Sequence, residues 1–281
     1  MKEDYEYNIT NILGDLEQKY NVQILFAVES GSRLWRIESI DSDYDVRFVY
    51  RKPLLDYLAI HPSKDVIEHT KSIYDFSGFD LYKFIRLLNQ SNPSMIEWLN
   101  SDIIYVDHWL KRTLMHLINE NFNPISLYCH YKSMCKNNYL TYLKSEKLMT
   151  YKKYLYAMRG LVNAKYVQQF LEVPPIKFEE AVKKVTLPFD VKEKLREIID
   201  LKKQGIENDR ISQIHLFERY IEDFLEEHVE IQNKKFSKTK ELQEKVYEIL
   251  GVEYPGILFK EYKEKYLNDL RDFEDYARGE D

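Results

Sequence analysis

Residues 22–50 read VQILFAVESGSRLWRIESIDSDYDVRFVY and contain the most informative pattern in the chain. The apolar run Val22–Val28 is rich in β-branched and aromatic residues, which predicts a buried strand. It ends at a Ser-Gly-Ser turn, and a second strand is predicted over Asp43–Tyr50. The segment thus has a strand, a Gly-Ser turn, a short helix and a second strand that carries two aspartates one residue apart (D-x-D). This combination indicates a function far more specifically than the Gly-Ser turn or the D-x-D pair does alone.

Asp43 and Asp45 form the D-x-D pair. Side chains alternate across a strand, so both carboxylates project from the same face, with their Cα atoms roughly 7 Å apart. Two carboxylates so placed can share a pair of divalent ions, which lie about 3.5–4 Å apart in two-metal phosphoryl-transfer sites. The spacing therefore favours a Mg²⁺ or Mn²⁺ site.

The Gly-Ser turn suits an anion. Gly31 lets the backbone approach a ligand, the amides beyond it can cradle a phosphate, and Ser30 and Ser32 add hydroxyl donors. Arg33 follows in the short helix, where it contacts either a phosphate or a nearby carboxylate. A Gly-Ser pair after a strand is usually only a turn, and an isolated D-x-D is commonly a solvated strand end. Their combination in this order favours phosphoryl chemistry.

Two further short strands are predicted at residues 66–69 and 72–76, and Ser77-Gly78 is expected to end the second one. Asp75 on that strand is the candidate third carboxylate, and Asp80 stands where a helix N-cap belongs. Either aspartate could instead serve only as a cap.

From about residue 105 onward the periodicity turns almost entirely helical. The predicted helices cover residues 106–118, 127–145, 150–171, 178–185, 191–204, 209–229 and 238–250. An amphipathic helix is also predicted over Asn8–Tyr20. We therefore expect an α+β protein, with a small mixed sheet in residues 1–105 and an all-helical domain in residues 106–281.

Composition excludes several classes of protein. The chain has 281 residues, of which 44% are hydrophobic, so it can bury a sizeable core, and its net charge of −6 argues against a wholly basic nucleic-acid coat. Two cysteines are too few for a disulfide scaffold and predict free thiols. No apolar run approaches membrane length and the N-terminus is not signal-like, so we expect a cytoplasmic protein without a membrane partner.

The motifs resemble those of the polymerase-β-type nucleotidyltransferases, whose signature is Gly-Ser, D-x-D and a third carboxylate on a later strand. Within that superfamily the chain is most similar to the RlaP (RNA-ligase-associated) nucleotidyltransferases, which are linked to RNA repair. The matching stretches are GSRLWRIESIDSDYDVRFVY, YDFSGFDLYKFIRLL, NPSMIEWLNS and KKYLYAMRGLVNAKYV, within residues 25–170. One departure is Trp35-Arg36, where the family pattern has Trp-Gly.

The resemblance implies that Asp43, Asp45 and Asp75 are the catalytic metal ligands and that Asp75 helps to take the proton from the attacking hydroxyl. It also implies that Ser30, Gly31, Ser32 and Arg33 hold phosphates of a nucleoside triphosphate.

The helix over residues 150–171 has a plausible part in the same site. Lys152, Tyr156 and Arg159 share one face at i, i+4 and i+7, so the cations suit phosphates and the ring suits a base. Lys153 belongs to the same matching stretch. The plain alternative is a surface Lys and Arg beside a half-buried Tyr, and resemblance to the family favours nucleotide binding.

The sequence thus predicts a nucleotidyltransferase that moves a nucleoside monophosphate from a nucleoside triphosphate to an acceptor hydroxyl. The nucleotide would lie in the cleft that the helical domain closes. An RNA end, a protein hydroxyl or a small molecule all fit as the acceptor, and RNA repair follows from the resemblance alone. Two alternatives are a catalytically silent nucleotide-binding or interaction protein and a toxin-like enzyme that modifies a protein or RNA.

Overall fold

Five strands form one mixed sheet in the computed structural model, which describes residues 2–61, 63–144, 149–206, 211–231 and 238–252. The strands are β1 (Gln23–Glu29), β2 (Tyr44–Arg51), β3 (Val66–Lys71), β4 (Tyr74–Asp80) and β5 (Ile104–Val106), in the order β3-β4-β2-β1-β5. The β2–β4 pair is parallel and the other pairs are antiparallel. The predicted α+β fold with a small mixed sheet is confirmed.

Helix α1 (Lys2–Tyr20) covers one face of this sheet. Its apolar stripe, which includes Ile9 and Leu13, packs on strand residues such as Val46 and Phe48. Because side chains alternate along β2, this packing turns the neighbouring odd-numbered positions of the strand to the opposite face. Those positions include the second aspartate of the D-x-D pair.

The opposite face carries α4 (Leu81–Asn89) and α5 (Pro93–Asn100). Phe84 of α4 meets Phe26 of β1 edge-on, with ring centres 5.5 Å apart. The predicted N-cap of α4 is confirmed, because the side chain of Asp80 accepts the amide hydrogen of Tyr82 at 2.9 Å. These two helices form one wall beside the odd-numbered positions of β2 and β4.

Two predictions at the sheet were wrong. Strand β4 does not end at Ser77-Gly78 but continues to Asp80. A Cβ at Gly78 would lie 2.1 Å from a ring carbon of Phe48, so the glycine provides space for a close packing contact rather than a chain break. The predicted helix over 106–118 begins late, because Val106 belongs to the edge strand β5.

The rest of the described chain is helical. Its elements are α6 (Trp109–Asn121), α7 (Pro124–Asn138) with a π-helical turn (Tyr139–Leu143), α8 (Tyr151–Phe170), α9 (Phe178–Lys184), α10 (Phe189–Lys203), α11 (His215–Glu226) and α12 (Thr239–Leu250). A four-residue helix α2 (Gly31–Leu34) follows β1, and α3 (Leu54–Tyr57) follows β2. Among the residues described, we find no helix with the length and apolar character needed to span a bilayer.

The described residues divide into two units, one that ends at Thr239 and one that begins at Lys240. The predicted domain boundary after residue 105 stays a prediction. The predicted helix over 209–229 begins at residues 209–210, which lie outside the described residues, as does the end of the predicted helical domain, residues 253–281.

Candidate active site

The parallel pairing of β2 with β4 sets the geometry of the predicted carboxylates. Asp45 lies directly opposite Asp75 in the register, and Asp43 immediately precedes β2. Asp80 pairs with Tyr50 five positions further along, and its carboxylate caps α4 and accepts a hydrogen bond from the hydroxyl of Tyr57 at 2.8 Å. Of the two candidates for the third carboxylate, Asp75 is the one that lies opposite an aspartate of the D-x-D pair.

The Gly-Ser turn lies against the same carboxylate. The amide of Ser30 donates to the main-chain oxygen of Asp45 at 2.9 Å, and Gly31 has a φ of +60°. A Cβ at Gly31 would lie 1.9 Å from Oδ2 of Asp45. Both the left-handed backbone and the missing Cβ are therefore needed for the turn to approach the D-x-D strand.

A positive charge bridges the two facing carboxylates. Nη2 of Arg47 lies 2.9 Å from Oδ1 of Asp45 and 2.9 Å from Oδ2 of Asp75. Nη1 of the same guanidinium donates to the main-chain oxygens of Asp75 at 3.1 Å and Val46 at 3.3 Å. Sequence reasoning missed this arginine, although its position two residues after Asp45 on a strand places it on the same face.

The surroundings of Asp45 favour a bound cation. Burial raises the pKa of this carboxyl above its ordinary value; Arg47 and Lys152 counteract the rise, whereas Asp75 and Asp43 add to it. Ionising the group is thus easier when positive charge is near. Carboxylate oxygens are also the ligands that Mg²⁺ and Mn²⁺ prefer.

The carboxylate oxygens of Asp45 and Asp75 are therefore of the kind that could bind a divalent ion shared between β2 and β4. In the described ranges, no three acidic, histidine or cysteine side chains form a ready-made metal site. The facing oxygens of Asp45 and Asp75 are held by Arg47 instead.

Glu29, the last residue of β1, is buried beside the D-x-D strand, where it pairs with Val46. Its carboxylate accepts the amide hydrogen of Asp45 at 2.9 Å and the hydroxyl hydrogen of Tyr105. Burial raises the pKa of Glu29 to about 7, against the lowering effect of these two hydrogen bonds. Sequence reasoning missed this residue, because Glu29 looks like the polar end of an apolar strand.

Arg33 donates to main-chain oxygens and not to a nearby carboxylate. Its side chain donates to the main-chain oxygens of Ser42 and Asp43, the latter at 3.1 Å, and its guanidinium carbon lies 3.9 Å from the ring centre of Tyr44. These contacts tie α2 to the residues that lead into β2. A phosphate contact by Arg33 stays a prediction.

Arg159, predicted to bind nucleotide, is buried in an ion pair with Glu97 of α5. Its guanidinium carbon lies 3.5 Å from the ring centre of Trp35, whose Nε1 donates to Glu97 at 3.0 Å. The hydroxyl of Tyr131 donates to the same carboxylate at 3.2 Å. This group, Trp35, Glu97, Tyr131 and Arg159, joins α5, α7 and α8 to the segment after α2, and we call it the Trp35 cluster.

The other predicted residues of α8, Lys152, Lys153 and Tyr156, each have different surroundings. Lys152 is close enough to affect the pKa of Asp45, so its charge reaches the carboxylates. The ring of Tyr156 meets Trp35 edge-on at 6.0 Å, and Nζ of Lys153 lies 3.6 Å from the ring centre of Tyr142. Nucleotide binding by these residues stays a prediction, and Lys152 has the strongest structural support.

Arg36 departs from the family pattern at a position with an unusual backbone. Its φ is +59°, in the left-handed region that glycine adopts most readily. Nη2 of Arg36 donates to both carboxylate oxygens of Asp102, at 2.9 and 3.0 Å. The chain thus keeps the backbone conformation expected of a glycine with an arginine in its place.

An open cleft of about 600 Å³ begins at the carboxylates. Its lining includes Ser30, Arg47, Thr70, Asp75, Ser77 and Phe79, with Trp98 and the start of α5 opposite. In the sheet order, β1 and the Gly-Ser turn that follows it lie on one side of β2, and β4 and β3 lie on the other. Because Ser30 of the turn and Asp75 of β4 both line the cleft, the cleft extends across β2.

A glycine-bearing turn against a D-x-D pair, with a third carboxylate on the adjacent parallel strand, defines a polymerase-β-type nucleotidyltransferase. Residues 6–249 match the family model of RlaP, described as the RNA repair pathway DNA polymerase beta family. The chain belongs to this family.

Two relatives illustrate the range of similarity. A protein of Bacillus subtilis (strain 168), named "Uncharacterized protein YcgL", is 36% identical over 240 residues, which cover 83% of this chain and 92% of that protein. A nucleotidyltransferase-like protein of known crystal structure from Exiguobacterium sibiricum 255-15 is 14% identical. It superposes with a TM-score of 0.30, covering 77% of this chain and 74% of its own, which is too loose for comparison of individual residues.

Proposed function

We propose that the chain is a divalent-metal-dependent nucleotidyltransferase that moves a nucleoside monophosphate from a nucleoside triphosphate to an acceptor hydroxyl. The observation that carries the proposal is the meeting of three elements at one point. Asp45 faces Asp75 across the β2–β4 pair, while the backbone of Gly31 lies against the carboxylate of Asp45. Phosphate-holding and cation-holding groups are thus adjacent.

In this proposal the triphosphate lies on the β1 side of the D-x-D strand. The first amides of a helix have no partner within the helix, so those after Ser30 are suited to phosphate oxygens. Asp43, Asp45 and Asp75 would hold Mg²⁺ or Mn²⁺, which would neutralise charge that develops on the phosphoryl oxygens. Lys152 adds positive charge near the same point.

The acceptor enters from the cleft on the β4 side. Its hydroxyl oxygen attacks the α-phosphorus, a new oxygen–phosphorus bond forms, and the bond to the leaving pyrophosphate breaks. Asp75 lines the cleft and takes the hydroxyl proton. The hydroxyl of Thr70 donates to Oδ1 of Asp75 at 3.3 Å, which holds that carboxylate at the cleft wall.

We propose an RNA end as the acceptor to test first. Its support is the description of the family, which places related proteins in an RNA repair pathway. A family does not fix a substrate, so protein and small-molecule acceptors belong in the same experiment.

The test is transfer of label from each α-³²P nucleoside triphosphate, with Mg²⁺ or Mn²⁺, to total RNA or to cell lysate. Asp43→Asn removes one of the proposed metal ligands, so we expect transfer to fall by about 10³-fold or more, since metal ions contribute several kcal/mol to such reactions. Asp41→Asn is the matched control, because Asp41 is an exposed aspartate two residues earlier. Circular dichroism should show both variants folded.

The position of the label separates the candidates. Label on RNA supports RNA repair or end modification, and label on protein or on a small molecule changes only the acceptor. A folded Asp43→Asn variant with full turnover would refute the assignment of the metal ligands. Nucleotide binding with no label in any fraction would favour the catalytically silent alternative.

A further inference from the structure

Arg47 occupies the place where the proposed function needs a metal ion. One nitrogen, Nη2, lies 2.9 Å from a carboxylate oxygen on each side of the β2–β4 pair. A Mg²⁺ ion bound by the same two oxygens would require them at about 2.0–2.1 Å. The guanidinium and the ion cannot both occupy the space between Asp45 and Asp75.

We propose that Arg47 is an internal counter-ion, and that a divalent cation displaces it from Asp45 and Asp75 when the site binds nucleotide and metal. This inference rests on the proposed function, because it assumes that those carboxylates are metal ligands. It gives Arg47 two states. In one state its guanidinium pairs with the carboxylates, and in the other it faces the cleft.

The need for a counter-ion follows from the charges that the fold brings together. Asp45 and Asp75 face each other across the β2–β4 pair and Asp43 immediately precedes β2, so three carboxylates lie at this end of the strand. Without a nearby cation, these groups would repel one another. Arg47 supplies that cation before metal arrives.

In this proposal the displaced guanidinium stays beside the cleft. Nη1 is held by the main-chain oxygens of Val46 and Asp75, which a metal bound to the side chains leaves in place. These two bonds keep the arginine beside the cleft, which it already lines together with Thr70 and Ser77. The released Nη2 is then free to donate to an acceptor oxygen.

The decisive measurement is Mn²⁺ binding by electron paramagnetic resonance, with and without a non-hydrolysable nucleoside triphosphate analogue. Arg47→Met removes the competing charge while keeping an apolar stem, so we expect Mn²⁺ to bind about tenfold more tightly than to the unmodified protein. Arg51→Met is the matched control. Arg51 lies on the same face of β2, four residues on, and its Nε donates to the neutral side chain of Gln23 at 2.7 Å.

A second measurement uses the unmodified protein, so it does not depend on how the variant folds. Mg²⁺ with the nucleotide analogue should change the ¹⁵N guanidinium NMR signals of Arg47 and leave those of the buried Arg159 unchanged. Equal Mn²⁺ affinity in Arg47→Met and the unmodified protein, or an Arg47 signal indifferent to bound Mg²⁺, overturns the exchange alone. If neither protein binds Mn²⁺ with nucleotide present, the proposed function fails as well.

Discussion

Two arginine–carboxylate groups in this chain have similar chemistry and opposite surroundings. Arg47 joins Asp45 and Asp75 at the mouth of a cleft, and the exposed fractions of these side chains are 18%, 30% and 45%. Arg159 joins Glu97 inside the Trp35 cluster, where the exposed fractions are 5% and 10%. The first pair can exchange its partners with solvent ions, whereas the second is enclosed by aromatic rings.

The difference teaches that burial, rather than residue type, separates a binding arginine from a structural one. A buried ion pair adds little net stability, because the cost of removing both charges from water offsets their attraction. Removing one partner is nevertheless costly, because the other charge is left buried without a counter-charge. A half-exposed pair contributes little to stability and is readily replaced. Arg159 therefore orders the elements behind the site, and Arg47 is placed to take part in binding.

Arg159→Met should have the largest effect on stability. It leaves the carboxylate of Glu97 buried with only the neutral donors of Tyr131 and Trp35, which should cost about 3–5 kcal/mol of the free energy of unfolding. Arg47→Met should cost less, about 1–2 kcal/mol, because solvent reaches the carboxylates of Asp45 and Asp75 that it leaves without a cation. Urea unfolding of both variants, without divalent metal, measures the two losses.

Similar losses in the two variants would remove the distinction between the groups. A stable Arg159→Met variant with weakened nucleotide binding would restore the sequence-based interpretation, in which Arg159 holds a phosphate. The double variant Glu97→Gln with Arg159→Met provides a check, because it leaves no charge unpaired. It should recover part of the loss.

Glu29 sharpens the comparison, since its buried carboxylate is held by the neutral donors of Tyr105 and the Asp45 amide. Burial raises the pKa of Glu29 from 4.5 to about 7. The folded protein therefore binds more protons than the unfolded chain between these values, and stability should fall as the pH rises through that window. Glu29→Gln stays neutral, so its advantage over the unmodified protein should grow by about 2–3 kcal/mol from pH 4.5 to 7.5.

Urea unfolding at pH 4.5, 5.5, 6.5 and 7.5 measures this dependence. Glu120→Gln is the control, because Glu120 is exposed on α6, and its stability should follow that of the unmodified protein. Parallel stability curves for Glu29→Gln and the unmodified protein would show that Glu29 is ionised at little cost in the folded state.

Much of this architecture was predictable because it depends on short-range patterns. The run before the Gly-Ser turn predicted β1, the alternation after it predicted β2, and Asp80 before an apolar stripe predicted the cap of α4. Gly78 misled the prediction because its role is to make space for the ring of Phe48, a contact between strands far apart in sequence. A glycine in a sequence is compatible with a turn or with a close packing contact, and the sequence alone does not distinguish the two.

The site shows where such reasoning stops. Spacing placed Lys152 and Arg159 on one face of α8, two turns apart, but spacing does not show how deeply each side chain is buried. Only the packing of α5 and α7 reveals that Arg159 is enclosed with Glu97. Arg47 was overlooked for the converse reason, because its partner Asp75 comes from a strand whose register with β2 the sequence does not specify.

Arg36 extends the comparison to a third arginine, paired with Asp102 at the surface, and it gives the smallest expected effect. Arg36→Ala and Arg36→Gly lose the same ion pair, so the difference between their free energies of unfolding measures the effect of the backbone conformation. Because the φ at this position is +59°, the glycine variant should be more stable than the alanine variant by about 1 kcal/mol. The control is Arg112, which pairs with Asp107 on the surface of α6, where the order should reverse and alanine should be favoured by about 1 kcal/mol. An alanine preference at both positions would mean that the segment after α2 relaxes out of the left-handed conformation when Arg36 is replaced. The family's usual glycine would then need another explanation than the backbone.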